Sequence, residues 1–247
     1  MYQFFVESQQ IHVADKSVTI TGNDVNHIKN VLRMKIGEEI AVSNGQDGKE
    51  YRCGIREYTE DAVLCELRFI KEDGVELPSK IYLFQGLPKA DKMELIIQKA
   101  VELGVYQVIP VAMKRCVVKL DDKKASSKLT RWQGIAEAAA KQSKRGIIPQ
   151  ITKVMTFAQA LEYSRTAQVR LVPYELAEGM DRTREIIEQI QPGQDIAVFI
   201  GPEGGFDEAE IGKVIEAGTQ PITLGKRILR TETAGMTVLS ILMYHLE

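Results

Sequence analysis

The chain has 247 residues, of which 44% are apolar and 27% are charged, and its net charge is −2. These proportions are typical of a globular protein with one or two domains, and they exclude collagen, a coiled coil and a disordered chain. The three cysteines predict a reducing, cytoplasmic setting, and the sequence indicates neither a signal peptide nor a run of the roughly 18 apolar residues that a membrane helix needs.

The first 72 residues are predicted to form a small, mostly β domain. Alternating apolar and polar residues predict strands over 17–21, 39–43, 50–56 and 62–70. Asp24 is the predicted cap of a helix that runs to about Arg33, with Val25, Ile28, Val31 and Leu32 on its apolar face. Cys53 and Cys65 are expected in the core. Residues 71–79 are polar and contain Gly and Pro, which predicts a linker.

From residue 80 onward, strands and helices are predicted to alternate. The predicted strands are 81–85, 107–111, 168–172, 195–200 and 221–224, and the predicted helices are 92–103, 128–143, 183–190, 208–217 and 231–246. This alternation predicts an α/β domain with a mainly parallel sheet over residues 80–247.

A glycine-rich loop, 201–206, follows one of the late apolar strands. Its glycines would allow a ligand to approach the backbone closely, although a tight turn alone would also explain them. Asp207 and Glu210 match a capping box at the start of the next helix. Because carboxylates there would repel a phosphate, the loop favours a ligand without phosphate.

A second loop, 224–234, contains three cations between apolar residues. Thr231 is the predicted cap of the last helix. Ile228 and Leu229 are expected to be buried and thereby to fix the directions of Arg227 and Arg230, although a solvated loop remains the alternative. Both loops follow strands, which is where open α/β sheets bind ligands.

Basic residues are concentrated in the middle of the chain. Residues 73–155 contain 15 Lys and Arg against 8 Asp and Glu, most densely over 114–145. Such a segment suits a polyanion, and a solvated lysine-rich helix is the alternative. The three histidines and three cysteines lack metal-ligand spacing, so we expect no metal site. The last helix is apolar over much of its circumference, which predicts core burial or a subunit interface.

Four groups of residues carry a resemblance to a known family. They are 201–206 together with 224–234, then 27–35, then 98–105 with Pro110, and finally 137–138 with Gln142 and Arg145. Over its whole length the chain resembles the 16S ribosomal RNA uridine-N3 methyltransferases (RsmE) of the SPOUT superfamily. It departs from the family pattern at Gln3, where Arg is frequent, and at Lys144, where Gly is usual.

The resemblance implies an α/β fold in which a small PUA-like β-barrel domain, residues 1–72, precedes a trefoil-knotted SPOUT methyltransferase domain, residues 80–247. It implies the cofactor S-adenosyl-L-methionine, a homodimer, and methylation of N3 of one uridine in the decoding region of 16S ribosomal RNA in the small ribosomal subunit. No membrane or metal partner is implied.

The two loops, the basic segment and the family resemblance together predict the site residues. The expected cofactor-binding residues are Pro173, Ile200, Gly201, Pro202, Glu203, Gly204, Gly205, Leu224, Gly225, Ile228, Leu229, Thr233 and Ala234. The expected catalytic residues are Arg230, then Arg227, because a fixed guanidinium could stabilise a uridine anion, and Glu232, which could orient an arginine or hold the amino group of the methionine. The expected RNA-binding residues are His27, Arg33, Lys35, Lys114, Arg115, Lys123, Lys124, Lys128 and Arg145.

Two other functions compete with this one. A non-catalytic RNA-binding or assembly factor would bind RNA without the cofactor and would leave the glycines of 201–205 unexplained. A SPOUT enzyme that acts on transfer RNA or on another base would share both loops, and only the resemblance over the whole chain disfavours it. The sequence identifies no general base, so solvent remains a candidate for the proton acceptor.

Overall fold

The computed structural model describes residues 1–72, 74–177 and 179–247. The chain divides into two compact units, Met1–Glu76 with Ala140–Ile148 and Leu77–Ala139 with Pro149–Glu247. Among the described residues, no helix is both long enough and apolar enough to cross a bilayer. The predicted linker includes Asp73, which lies outside the described residues.

The first unit is built on a six-stranded sheet, and the alternating pattern predicts four of its strands. Its strands are β1 (Gln3–Phe5), β2 (Ile11–His12), β3 (Ser17–Thr21), β4 (Glu39–Ser43), β5 (Glu50–Tyr58) and β6 (Ala62–Lys71). Their order is β1-β4-β5-β6-β3-β2, and every pair except β1–β4 is antiparallel. Cys53 and Cys65 are buried in its core as predicted, and this burial raises the pKa of each thiol to about 12. β1 and β2 are too short for their alternation to be visible in the sequence.

The helix after β3 differs from the predicted one. α1 (Asn23–Asn26) continues as a π-helix over His27–Val31. Asp24 is the second residue of α1 and does not cap it, so that prediction was wrong. Ile28 is buried as predicted, but the extra residue in the π-turn takes the side chain of Val31 off the apolar face, and it is 61% exposed.

The second unit contains a seven-stranded sheet in which every pair is parallel, which confirms the predicted sheet type. Its strands are β7 (Ile81–Gly86), β8 (Gln107–Ala112), β9 (Gln150–Ile151), β10 (Met155–Thr156), β11 (Val169–Pro173), β12 (Ile196–Ile200) and β13 (Gln220–Ile222). The order is β10-β8-β7-β12-β11-β13, and β9 also pairs with β8. β12 is buried along its whole length, as expected of a strand covered on both faces.

Helices separate the strands of the second sheet, except between β9 and β10. They are α2 (Lys92–Glu102), α3 (Asp122–Gln142), α4 (Phe157–Ser164), α5 (Met180–Glu188), α6 (Glu208–Glu216) and α7 (Thr231–Leu246). The bounds of α7 are those predicted. α3 begins six residues before its predicted start, and α4 and the two-residue strands β9 and β10 were not predicted.

Arg145, expected to contact RNA, is instead a buried residue of the first unit. Its side chain is 4% exposed, and its Nε donates to Oε2 of Glu76 at 3.1 Å. The same carboxylate accepts hydrogen bonds from the backbone amides of Gly146 and Ile147. A guanidinium enclosed in this way stabilises the fold and is not available to an RNA phosphate, so the prediction for Arg145 was wrong.

We expect Glu76→Gln to lower the free energy of unfolding of the first unit by about 3 kcal/mol, because the buried guanidinium would lose its counter-charge. Native-state hydrogen exchange of the β4 and β5 amides measures this change.

Glu72→Gln is the matched control, because Glu72 also pairs with a cation, the ammonium of Lys49, but its side chain is 70% exposed. The control should leave amide exchange unchanged within error. Equal effects of the two substitutions would contradict the structural role of Glu76.

Candidate functional site

A pocket of about 490 Å³ lies in the second unit, at the edge of the sheet where neighbouring strands end. Its walls are the segments that follow β11, β12 and β13. The lining residues are Lys92, Pro173, Tyr174, Glu175, Ile200, Gly201, Pro202, Glu203, Gly204, Gly205, Phe206, Thr223, Leu224, Gly225, Lys226, Arg227, Ile228, Leu229, Arg230, Thr231 and Ala234. This is the carboxyl edge of a parallel sheet, where α/β proteins bind ligands, and its volume is that of a small-molecule site.

The glycine-rich loop 201–206 is held by the strand beside it. A Cβ atom on Gly86, at the end of β7, would lie 2.7 Å from the nitrogen and the Cδ atom of Pro202, so only glycine allows this approach. The predicted capping box follows the loop: Asp207 accepts a hydrogen bond from the amide of Ala209, and Glu210 accepts one from the amide of Asp207. These carboxylates already satisfy the amides that a phosphate would need.

Thr231 joins the two loops, although it does not cap α7 as predicted. The N-cap of α7 is Arg230, and Thr231 is the first helical residue. Its hydroxyl accepts a hydrogen bond from Nε2 of Gln85 at 2.9 Å and donates one to the carbonyl of Gly201 at 2.6 Å. The hydroxyl therefore fixes the start of α7 against the glycine-rich loop.

The second loop presents its apolar and basic residues to the pocket. Ile228 is 85% exposed, so the expected burial of Ile228 was wrong, while Leu229 is half-buried. Arg227 and Arg230 are exposed and line the same pocket. Because Ile228 is not buried, it does not fix the directions of Arg227 and Arg230. Instead, they lie where a bound ligand would contact them.

Most of the predicted cofactor-binding residues come together at this pocket. The exception is Thr233, which is exposed on α7 and is absent from the lining. Glu232 is also absent from the lining. Its carboxylate lies 3.4 Å from Nζ of Lys92, so the partner that the structure gives it is a lysine and not an arginine.

Lys92 is a pocket residue that sequence reasoning missed. Its Nζ lies 3.2 Å from Oε1 of Glu203 in the glycine-rich loop, and it also faces Glu232 at the start of α7. A lysine in the first turn of a helix opposes the helix dipole, and this is the signal that could have found it. One ammonium thus pairs with a carboxylate of the glycine-rich loop and with a carboxylate in the first turn of α7.

The pKa of Glu203 lies below its ordinary value of 4.5. Burial acts in the opposite direction, but hydrogen bonds from the backbone amides of Glu203 and Lys89 and the ammonium of Lys92 outweigh it. A carboxyl with a lowered pKa stabilises the folded state above its unfolded pKa, and this contribution is lost as the pH falls through the folded value.

The predicted RNA-binding residues lie in both units. His27, Arg33 and Lys35 are exposed in the first unit, and Lys123 and Lys124 are exposed in the second. Lys128 is half-buried.

Lys114 and Arg115 are exposed but already contact the segment that follows β12. Lys114 pairs with Asp207, and Arg115 donates to the carbonyl of Gly204. The hydrogen bond from Lys114 lowers the pKa of Asp207; burial opposes the shift, and the amide of Ala209 adds to it.

Two family models match the chain. One, described as an RNA methyltransferase domain, matches residues 75–243, and the other, described as an RNA methyltransferase PUA domain, matches residues 20–68. Ribosomal RNA small subunit methyltransferase E of Bacillus subtilis (strain 168) is 40% identical over 252 residues, which cover 100% of this chain and 98% of that protein. The protein of the same name from Mesomycoplasma hyopneumoniae (strain 232) is 35% identical and covers 97% of this chain and 98% of its own length.

The chain belongs to this family of RNA methyltransferases. A crystal structure of ribosomal RNA small subunit methyltransferase E from Neisseria gonorrhoeae bound to S-adenosyl methionine is 31% identical, with a TM-score of 0.82, and the match covers 97% of this chain and 95% of that one. The predicted family, the PUA-like domain before a parallel-sheet methyltransferase domain, and the enzyme class are confirmed, and the ligand of that structure agrees with the predicted cofactor. Among the described residues of this RNA methyltransferase, no group of three or more His, Cys, Asp or Glu side chains is arranged to hold a metal ion.

We expect Lys92→Met to lower the free energy of unfolding by about 1–2 kcal/mol at pH 7, because two partly buried carboxylates would lose their shared cation. The difference from the unchanged chain should shrink as the pH falls below 4.5, since the protonated carboxyl of Glu203 no longer needs a counter-charge. Urea denaturation at a series of pH values measures both effects.

Lys99→Met is the control for this substitution. Lys99 lies on the same helix and forms an ion pair with Glu102, which is three residues further along that helix. The side chain of Lys99 is 38% exposed. Its replacement should cost about 0.5 kcal/mol or less. An effect of Lys92→Met on the free energy of unfolding that is equally small, or that does not vary with pH, would contradict the stabilising role of the ion pairs that Lys92 forms with Glu203 and Glu232.

Proposed function

We propose that this chain methylates N3 of a uridine in the decoding region of 16S ribosomal RNA, with S-adenosyl-L-methionine as the methyl donor and the small ribosomal subunit as the substrate. The observation that carries the proposal is the pocket in which two glycine-containing loops and two arginines meet at the carboxyl edge of a parallel sheet. The proposal includes cytoplasmic action, a knot in the C-terminal segment, and functional domains over residues 1–72 and 80–247.

The residues at the pocket fit S-adenosylmethionine. Glycine backbone at 201, 204, 205 and 225 leaves room for polar contacts with the ligand, and Pro173, Ile200, Leu224 and Leu229 supply apolar surface for an adenine ring. The capping box occupied by Asp207 and Glu210 suits a ligand without phosphate. When bound, this cofactor supplies an electrophilic methyl group on a sulfonium.

Arg230 is the proposed catalytic residue and Arg227 the second candidate. N3 of uridine is a poor nucleophile until its proton leaves, and the resulting charge spreads to O2 and O4. A guanidinium held at the pocket can stabilise that anion and orient the ring. Glu232, paired with Lys92, is proposed to fix the start of α7, and solvent can accept the proton.

RNA is proposed to contact both units. The candidates for phosphate contacts are His27, Arg33 and Lys35 in the first unit and Lys123, Lys124 and the half-buried Lys128 in the second. These contacts carry no sequence information, so the choice of uridine depends on the shape of the substrate and on the pocket.

Small-subunit RNA from cells that lack the protein should lose one N3-methyluridine, and the gene for the unchanged chain should restore it. A methyl group at N3 blocks the Watson–Crick edge, so reverse transcription should stop beside the modified base only when the enzyme is active. Arg230→Lys should restore the mark about 100-fold more slowly, since it removes the planar donor pair.

Arg227→Lys is the comparison variant. If it slows the restoration of the mark more than Arg230→Lys does, Arg227 is the catalytic residue and Arg230 is the second candidate. A mark that disappears from transfer RNA instead would favour the rival SPOUT activity. No change in any RNA would favour a binding factor without catalysis.

Ala234→Phe should weaken binding of S-adenosylmethionine by about 10- to 100-fold, because the ring would occupy the pocket that Ala234 lines. Isothermal titration calorimetry measures the affinity.

Thr233→Phe adds the same ring one residue earlier on α7, at an exposed position outside the lining. It should leave the affinity unchanged. A loss of affinity in Thr233→Phe alone would restore the prediction that Thr233 contacts the cofactor and contradict this placement of the pocket.

A homodimer formed partly by α7 is also proposed. Val238, Leu239 and Leu242 are buried within the chain, but Tyr244 on the same helix is 87% exposed. Met236, Ile241 and Met243 are half-buried, so a partly apolar face of α7 has no cover within the described residues. A second copy of the chain would cover it with a C2 interface.

Tyr244→Glu should convert the dimer to a monomer in analytical ultracentrifugation while circular dichroism still shows a folded chain, because Tyr244 supports no core. Leu242→Glu would not separate these effects, since Leu242 is fully buried within one chain. Ile215→Glu, a change of similar kind on α6, should remain dimeric. An unchanged chain that is monomeric at micromolar concentration and still methylates its substrate would contradict the dimer.

A further inference from the structure

The segment after β8 is fastened to the glycine-rich loop and to the helix that follows it. The amide of Lys114 donates to Oε1 of Glu210 at 2.9 Å, and Nζ of Lys114 lies 2.9 Å from Oδ2 of Asp207. Nη1 of Arg115 donates to the carbonyl of Gly204 at 3.0 Å. Two residues of the basic segment therefore hold the chain from Gly204 to Glu210 at three points.

Gly204 packs directly against Arg115. A Cβ atom on Gly204 would lie 3.2 Å from Cβ of Arg115 and 3.5 Å from its carbonyl oxygen. Gly204 lines the pocket, whereas Arg115 does not. The absence of a side chain at Gly204 is thus explained by its contact with Arg115 as well as by the ligand, and the position of Arg115 bears on the shape of the pocket.

Arg115 has donors to spare. A guanidinium carries five N–H groups in one plane. Among the described residues, Arg115 donates to one hydrogen-bond acceptor, the carbonyl of Gly204. Its side chain is exposed, so its remaining N–H groups face solvent. Such a fork binds carboxylates and phosphates through two parallel hydrogen bonds, and RNA supplies phosphates.

We propose that Arg115 is a positioning residue that joins the RNA to the cofactor loop: one N–H group holds the carbonyl of Gly204 while the others bind a phosphate of the RNA. This inference rests on the proposed function, which supplies the RNA. A phosphate on the guanidinium restrains its rotation and thereby the loop that lines the cofactor pocket. RNA binding then strengthens cofactor binding, and the cofactor strengthens RNA binding by the same factor.

A basic surface without this contact would behave differently. Lys123 is also exposed in the same basic segment, but no hydrogen bond or ion pair joins it to residues 201–210 within the described parts of the chain. A phosphate on Lys123 adds affinity for RNA but does not restrain the cofactor loop. A comparison of substitutions at Arg115 and at Lys123 therefore distinguishes coupling between RNA and cofactor binding from simple charge attraction.

The test measures the affinity of S-adenosylhomocysteine, which cannot donate a methyl group, with and without saturating small ribosomal subunits from cells that lack the protein. In the unchanged chain, the subunits should raise this affinity at least about five-fold, the lower end of ordinary coupling between sites. Arg115→Ala should reduce the ratio to about one. Lys123→Ala should keep the ratio of the unchanged chain.

RNA affinity measured against salt concentration provides the second readout. Arg115→Ala and Lys123→Ala should each reduce the log–log slope by about 0.7–0.9, the value of one lost phosphate contact. Arg115→Lys keeps the charge but not the planar fork, so it should keep the slope and lose the coupling. It also serves if Arg115→Ala does not fold, as judged by its melting temperature.

The outcomes separate this inference from the function on which it rests. A ratio of one in the unchanged chain, a normal ratio in Arg115→Lys, or an equal loss in Lys123→Ala would overturn the coupling through Arg115. Failure of the unchanged chain to bind S-adenosylhomocysteine or the subunits at all would instead contradict the proposed function.

Discussion

The hydroxyl group of Thr231 connects the three segments on which the pocket depends. It accepts a hydrogen bond from Gln85 at the end of β7 and donates one to Gly201 at the end of β12, and it stands itself at the start of α7. Gln85 is fully buried, and its Nε2 also donates to the carbonyl of Gly86, so loss of Thr231 would leave one of its two amide N–H groups unsatisfied away from water. The glycine-rich loop and the first turn of α7 are therefore held at a fixed separation. This separation determines where the residues of both segments lie around the pocket.

Features that depend on neighbouring residues could be predicted from the sequence. The capping box of Asp207 and Glu210 spans four residues, and the uninterrupted apolar run of β12 is enough to indicate a strand covered on both faces. Thr231 shows where such reasoning fails. Its residue type at a helix start suggests a cap, but its partners lie 146 and 30 residues away, and only the folded sheet brings them to it.

Counting charges identified the basic segment but could not assign its members. Arg145 is enclosed by Glu76 from 69 residues earlier, which no local pattern indicates. Arg115 holds a backbone carbonyl of the glycine-rich loop, and Lys123 is exposed to solvent. A cation's role depends on which acceptor the fold places beside it, so equal charges in one segment serve the core, the pocket and the surface.

The π-helix over His27–Val31 bears on how this chain can diverge from related proteins. A π-turn contains one residue more than an α-turn, so the loss of a single residue from it would leave a regular α-helix. The side chain at Val31 would then turn by about 100° around the helix axis, away from solvent. The length of chain between β3 and β4 can therefore change by one residue without disturbing either strand, and such an insertion or deletion would alter only the surface that this helix presents.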